Sequence, residues 1–215
     1  MSGVVDDPRA TDPQSAPAGD AVDDDAPGRG RTGLVVSLVV ALLAVAFVGV
    51  LATREPATER RADSPLVGKA TPALVGETTD GGSFDIDDHR GRWVVVNFFA
   101  TWCAPCVEEH PELVAFDEAH RAAGDATVVS VVYNDRPDRV AEFFAERGGD
   151  WAVLADNGLA AVDYGVVKVP ETYLVSPSGV VAQKYTGGVT RAMIESDIAA
   201  IEGAAAARDD AGAGS

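Results

Sequence analysis

The apolar positions divide this chain into a long uncharged run near its beginning and a later region of alternating strand-like and helical patterns. The uncharged run is LVVSLVVALLAVAFVGVLA, at 34–52. Farther along lie two continuous apolar stretches, WVVVNFF at 93–99 and ATVVSVVY at 126–133. Continuous runs of this length are typical of strands that are buried on both faces of a sheet.

The remaining patterns complete an alternation of strands and helices. PALVGETTDGGSFDID, at 72–87, predicts a hairpin that turns at Asp80-Gly81-Gly82, and 171–187 predicts two strands joined by a turn at 176–179. The other predicted elements are a helix over 103–122, a helix over 136–148 with Val140, Phe143 and Phe144 on one face, a short strand in 151–156, a short helix over 159–164, and a last helix over 190–201 capped by Thr190. This order predicts an α/β fold with helices on both faces of the sheet.

As a helix of ~1.5 Å per residue, the run at 34–52 would span the hydrocarbon core of a bilayer. We therefore predict a disordered acidic tail over 1–33, a transmembrane anchor over 34–52, a polar linker over 53–67, a folded domain over 68–203 and a disordered tail over 204–215. A cleavable signal peptide is the alternative, since Val50-Leu51-Ala52 offers a small-residue cleavage site, but the long run and its long leader favour an uncleaved anchor.

The arginines around this run do not decide its orientation. Arg29 and Arg31 precede it, and Arg54, Arg60 and Arg61 follow it. Because the positive-inside rule counts basic residues on each side, it favours neither orientation. A single anchor in front of a folded domain most simply leaves that domain outside, so we expect a single-pass protein of the cell membrane with an extracytoplasmic domain.

The composition excludes two classes of protein. With 34 acidic and 17 basic residues the formal net charge is −17, so a basic surface that could neutralise the phosphates of nucleic acid is not expected. Two cysteines are too few for a disulfide-rich scaffold, so stability must come from an apolar core.

The two cysteines lie where a buried strand is predicted to end and a helix to begin. A helix N-terminus favours a thiolate at Cys103, because its free N–H groups and dipole stabilise negative charge. Cys106, three residues on, shares that helical face and is close enough to close a disulfide, and Pro105 suits the first helical turn. We expect Cys103 to be the exposed attacking thiol and Cys106 the more buried resolving thiol.

Other uses of the pair are less consistent with the sequence. A zinc or iron–sulfur site needs further soft ligands, and His110, one turn beyond Cys106, is expected to be solvated or packed. Haem attachment would need a histidine at the position of Val107. A structural disulfide remains open, although it would not need a strand-to-helix junction. We predict neither a cofactor nor a metal.

Two segments carry a resemblance to a known family. FFATWCAPCVEEHPEL and VPETYLV resemble the two signatures of the membrane-tethered TlpA/ResA/CcmG thiol–disulfide oxidoreductases, and the resemblance covers about 68–203. It implies a thioredoxin-like fold, with a central mixed β-sheet flanked by helices and an N-terminal hairpin. Asn97 stands where thioredoxin has a buried aspartate, and the family's acid after the second cysteine is matched by Glu109.

The resemblance also implies roles for residues around the cysteines. The peptide bond before Pro170 should be cis, which would leave the backbone of Val169 free to pair with a substrate peptide. Trp102 should pack beside the site, with plain core packing as the alternative, and Glu171 is a weaker candidate for lining it. Glu109 is expected to tune the thiols or accept the proton of Cys106.

The expected function is that of a disulfide reductase with a Cys103–Cys106 couple. The resemblance implies protein substrates such as apocytochrome c thiols, within cytochrome c maturation, and a membrane thiol carrier as electron donor. A disulfide-forming oxidase or general redox protein would use the same residues at a higher potential. A tethered binding module or metal chaperone is the non-enzymatic alternative.

Overall fold

The computed structural model describes residues 31–52, 60–155 and 158–213, and the chain divides into two units at residues 54 and 55. In the first unit, α1 is a helix over Arg31–Ala52. Side chains of α1 are described for 33 and 35–46, and the valines and leucines among them are exposed. In the part of the chain that the structure describes, no helix is both long and apolar enough to cross a membrane. The predicted anchor therefore stays a prediction.

The second unit is built on a mixed sheet of six strands in the order β1-β8-β7-β4-β5-β6. Strands β4, β5 and β6 run parallel, and β7, β8 and β1 continue the sheet by antiparallel pairing. The strands are β1 Arg60–Arg61, β4 Trp93–Phe99, β5 Ala126–Val132, β6 Ala152–Leu154, β7 Glu171–Val175 and β8 Val181–Thr186; the separate hairpin is β2 Val75–Glu77 and β3 Ser83–Asp85. The predicted mixed sheet with a hairpin before it is confirmed.

Alternation along β4 explains how helices come to cover both faces, because successive side chains of a strand point to opposite sides. On one face, Val95 packs with Leu113 and Phe116 in a buried cluster. On the other, Phe98 packs with Tyr164 and Tyr173. The helices are α2 Ala104–Arg121, α3 Pro137–Arg147, α4 Leu159–Asp163 and α5 Arg191–Ala213. Helices α2, α3 and α5 lie on the Val95 side, and α4 lies on the Phe98 side.

The structure corrects the predicted start and end of this unit. Arg60–Arg61, predicted as linker, pairs with β8, and the guanidinium of Arg61 binds the buried carboxylate of Asp197. Helix α5 is capped by Thr190 as predicted, because Thr190 Oγ1 accepts the N–H of Met193 at 3.3 Å. It continues to Ala213, however, so most of the predicted tail is helical. Residues 202–208 are exposed, and the alanines among them have high helix propensity.

The other predicted helices and strands are present, with boundaries that differ by a few residues. The parts of the predictions that fall on 1–30, 53–59, 156–157 and 214–215 lie outside the described residues.

Candidate active site

The cysteine pair lies at the junction between β4 and α2. Cys103 is the N-cap residue of α2, and its sulfur accepts a hydrogen bond from the backbone N–H of Cys106 at 3.3 Å. The two cysteines form a disulfide with their Cα atoms 5.2 Å apart. An N–H aimed at the Cys103 sulfur, together with the helix dipole, stabilises a thiolate there once the disulfide is reduced.

The expectation that Cys103 is exposed is wrong for this oxidised form, although Cys106 is the more buried of the two, as expected. Cys103 is 5% exposed and Cys106 is 2% exposed. Both pack in an apolar cluster with Phe99 and Phe143, which covers the N-terminal end of α2. The two sulfurs therefore differ more in position than in exposure, because Cys103 caps the N-terminus of α2 and Cys106 lies within the helix.

The segment before β7 contains the predicted cis peptide bond. The Val169–Pro170 peptide bond is cis, as the resemblance implies. Val169 is half-buried and packs against the cluster that contains Cys103 and Cys106, and Pro170 is buried. The structure thus places Val169 against the cluster that contains the disulfide, with Pro170 next to it in the chain.

Trp102 lies on the surface beside the disulfide, held by the loop after β5. Its side chain is 56% exposed, which excludes core packing, and its Nε1 donates to the carbonyl of Asn134 at 3.2 Å. The Asp135 carboxylate accepts bonds from the backbone N–H of Thr101 at 2.5 Å and from its hydroxyl at 2.7 Å. Burial works against ionisation of Asp135, but these bonds outweigh it and lower its pKa. This loop contact was not predicted, since nothing in the sequence links the two segments.

Glu109 is buried on α2, one turn after Cys106, with 3% of its surface exposed. Its Oε1 accepts from Asn97 Nδ2 at 2.8 Å, and its Oε2 accepts from the backbone N–H of Val189 at 2.9 Å. Burial raises the pKa of Glu109 to about 7, although both hydrogen bonds oppose that rise. A carboxyl group with this pKa can both accept and release a proton near neutral pH.

Glu171 lies elsewhere. It faces the α4 side of the sheet, where its carboxylate lies 2.7 Å from Lys184 Nζ. Burial alone would lower the pKa of Lys184, but hydrogen bonds to Glu171 and Tyr173 outweigh it and raise that pKa. Asn97 and Thr172 face the opposite, α2 side, so the structure does not bring Glu171 together with Glu109.

His110 is packed rather than solvated. Its ring lies among Phe143, Phe144 and Trp151, and its Nε2 is 2.9 Å from the carbonyl oxygen of Gly148. Burial lowers the pKa of His110. Within the described ranges, no group of three or more histidine, cysteine or acidic side chains could hold a metal ion.

Comparisons with known proteins match both the sequence and the fold. The Redoxin family model matches residues 66–201. Thiol-disulfide oxidoreductase ResA of Bacillus subtilis is 31% identical over 165 residues, which cover 76% of this chain and 87% of that protein. Thiol:disulfide interchange protein CycY of Rhizobium leguminosarum is 33% identical over 141 residues, covering 65% and 64% of the two chains. A thiol:disulfide interchange protein from Chlorobium tepidum has a similar fold, with a TM-score of 0.57 at 24% identity over 64% of this chain and 97% of that one.

Proposed function

Because this chain belongs to the Redoxin family and is a thiol-disulfide oxidoreductase, we propose that it acts as a reductase of protein disulfides. The substrates would be cysteine pairs such as those of apocytochrome c, kept reduced during cytochrome c maturation. The domain would work on the extracytoplasmic side of the cell membrane, tethered by the apolar run at 34–52, and would be recharged by a membrane thiol carrier. The relation to ResA and CycY supports this proposal.

The proposed reaction begins with the reduced dithiol. The Cys103 thiolate attacks one sulfur of the substrate disulfide, so that a mixed disulfide forms and one substrate thiolate leaves. Cys106 then gives its S–H proton to the Glu109 carboxylate, and its electron pair attacks the Cys103 sulfur. The second substrate thiolate leaves, the substrate has gained two electrons, and the protein holds the Cys103–Cys106 disulfide.

One observation carries this assignment: the buried carboxyl of Glu109 lies one turn after the buried Cys106, on the helix that begins at the disulfide. Water is excluded from Cys106, which is 2% exposed, so its proton needs a nearby acceptor before it can act as a nucleophile. The cis Val169–Pro170 peptide bond and the exposed ring of Trp102 flank the disulfide, where a substrate peptide would lie.

The reduction potential of the couple tests the direction of electron flow. We expect a value near that of thioredoxin, about −270 mV, rather than the value of about −120 mV found for strong oxidants. Equilibration of the described domain with glutathione or dithiothreitol buffers, followed by thiol counting, measures it. A potential near the oxidant value would contradict the reductase and favour the disulfide-forming oxidase.

Replacement of Glu109 by glutamine should slow attack by Cys106 about tenfold or more at neutral pH, since a neutral amide cannot take up the thiol proton. Reduced protein mixed with a chromogenic aromatic disulfide releases one thiolate on attack by Cys103 and a second on resolution by Cys106. The second phase should slow as pH falls through about 7 in the native protein, because Glu109 becomes protonated and can no longer accept a proton.

The same experiment contains its own control, because the first phase does not involve Cys106. Glu109→Gln should leave the first phase close to the native rate and remove the pH dependence near 7 from the second. The neighbouring exposed Glu108 provides the matched variant, Glu108→Gln, which should change neither phase. Equal second phases in the native protein and Glu109→Gln would contradict the proposed proton transfer.

A further inference from the structure

Asn97 is a polar side chain in a strand whose seven residues are all buried. Its Nδ2 donates to Glu109 Oε1 at 2.8 Å and to Thr172 Oγ1 at 3.0 Å. Asn97 and Thr172 lie directly opposite each other in the β4–β7 ladder, so the sheet itself sets their separation. Burying an amide is costly unless it is hydrogen-bonded, and these two bonds use both N–H groups of the amide nitrogen.

The surroundings of Glu109 contain uncharged donors rather than cations. Strand β4 presents Asn97 and the loop before α5 presents the backbone N–H of Val189. On α2 itself, Cys106, one turn earlier, is disulfide-bonded, and Glu112, one turn later, accepts the backbone N–H of Arg191 at 2.9 Å. The adjacent Glu108 is exposed, and the ring of His110 packs against aromatic residues of α3. Hydrogen bonds to the ionised form are therefore what opposes the desolvation of this carboxylate.

We propose that Asn97, fixed by Thr172, is a positioning residue that keeps the Glu109 carboxylate ionised and oriented to take up the proton of Cys106. This inference rests on the proton transfer proposed above. An aspartate at position 97 would compete with Glu109 for the proton. An apolar side chain there would remove the hydrogen bond to Oε1, which favours the ionised carboxylate against the effect of burial. The amide donates a hydrogen bond without titrating, so the proton can go to only one buried acid.

The role of Thr172 follows from the geometry of the amide. Its hydroxyl accepts the second N–H of Asn97, which fixes the rotation of the amide plane so that the first N–H is directed at Glu109. Loss of that hydroxyl leaves a buried donor unpaired and frees the amide to turn. Thr172→Val should therefore raise the titration midpoint of Glu109, as a loss of the Asn97 amide should, but by a smaller amount.

The test measures Glu109 directly. In the oxidised protein, carbon-13 NMR of the labelled carboxyl group follows its titration without any catalysis. We expect Asn97→Leu, which has a similar volume, to move the titration midpoint of Glu109 upward by about one pH unit, the size expected for a lost hydrogen bond to a charged group. Thr172→Val should give a smaller upward shift, and Thr172→Ser, which keeps the hydroxyl, should restore the native midpoint.

The kinetic arm uses the second phase of the reaction with the aromatic disulfide. Its pH midpoint should rise in Asn97→Leu by the same amount as the NMR midpoint. A folded Asn97→Leu protein with the native NMR midpoint would overturn the inference. If that variant does not fold, an unchanged midpoint in Thr172→Val would overturn it instead.

The two arms also separate this inference from the proposed function. An NMR shift in Asn97→Leu, combined with a second phase that is insensitive to Glu109→Gln, would overturn the proton transfer to Glu109. It would still support Asn97 as the group that keeps this carboxylate ionised. A shift in both arms supports the whole inference.

Discussion

Cys103→Ser should lower the rate of insulin disulfide reduction at least about 1,000-fold, since a serine hydroxyl is not ionised near neutral pH and cannot form the mixed disulfide. Cys103 is the N-cap of α2, and its sulfur receives the N–H of Cys106. Cys106 lies within the helix and is not its N-cap residue. Turbidity of the precipitating insulin chains, with dithiothreitol as electron donor, measures the rate.

Cys106→Ser is the matched variant, and it should fail in a different way. It keeps the attacking thiol, so it should form a mixed disulfide with the substrate and then stop. Mass spectrometry would detect this adduct in Cys106→Ser and not in Cys103→Ser. If Cys103→Ser still reduced insulin, or if the adduct formed on Cys106, the assigned order of attack would be wrong.

Lys184→Met should lower the free energy of unfolding by about 3 kcal/mol, because it leaves the Glu171 carboxylate buried without its partner. The two side chains are 10% and 3% exposed, and the ammonium group also lies 5.1 Å from the centre of the Tyr173 ring. Urea denaturation followed by tryptophan fluorescence measures the loss. We attribute this loss of stability to the cost of leaving the Glu171 carboxylate buried and unpaired, and not to the energy of the ion pair itself.

Two further variants separate that cause from a simple loss of packing. The double variant Lys184→Met/Glu171→Leu removes both charges and should recover most of the stability. Arg136→Met breaks an ion pair with Asp138 in which both side chains are mostly exposed, and it should cost less than about 1 kcal/mol. A double variant no more stable than Lys184→Met would contradict the electrostatic explanation.

Local sequence patterns were sufficient for most of the fold. The valine-rich runs of β4 and β5 and the turn at Asp80-Gly81-Gly82 have distinct local signatures, and each helix and strand predicted for the second unit is present. The ends of the second unit were predicted less well. Strand β1 has only two residues, and its pairing with β8 depends on a partner more than a hundred positions away. Such a strand has no periodicity of its own that a sequence pattern could show.

The residues of the candidate site were named from the sequence, but the contacts among them were not. Asn97 and Glu109 were each singled out by comparison with related patterns, yet nothing indicated that one donates to the other. That contact depends on the rotation of α2 over the sheet and on the register between β4 and β7. Glu171 shows the same limit, because alternation along β7 turns it away from Thr172 and towards Lys184.

The pairing of Arg60–Arg61 with β8 has a practical consequence for recombinant expression. A fragment that began at residue 68, the predicted start of the domain, would lose β1 and the bond from the N–H of Ala62 to the carbonyl of Lys184. The outer backbone groups of β8 between Lys184 and Thr186 would then lie open to pairing with another molecule, a common cause of aggregation. Soluble fragments for crystallisation or NMR should therefore begin before Arg60.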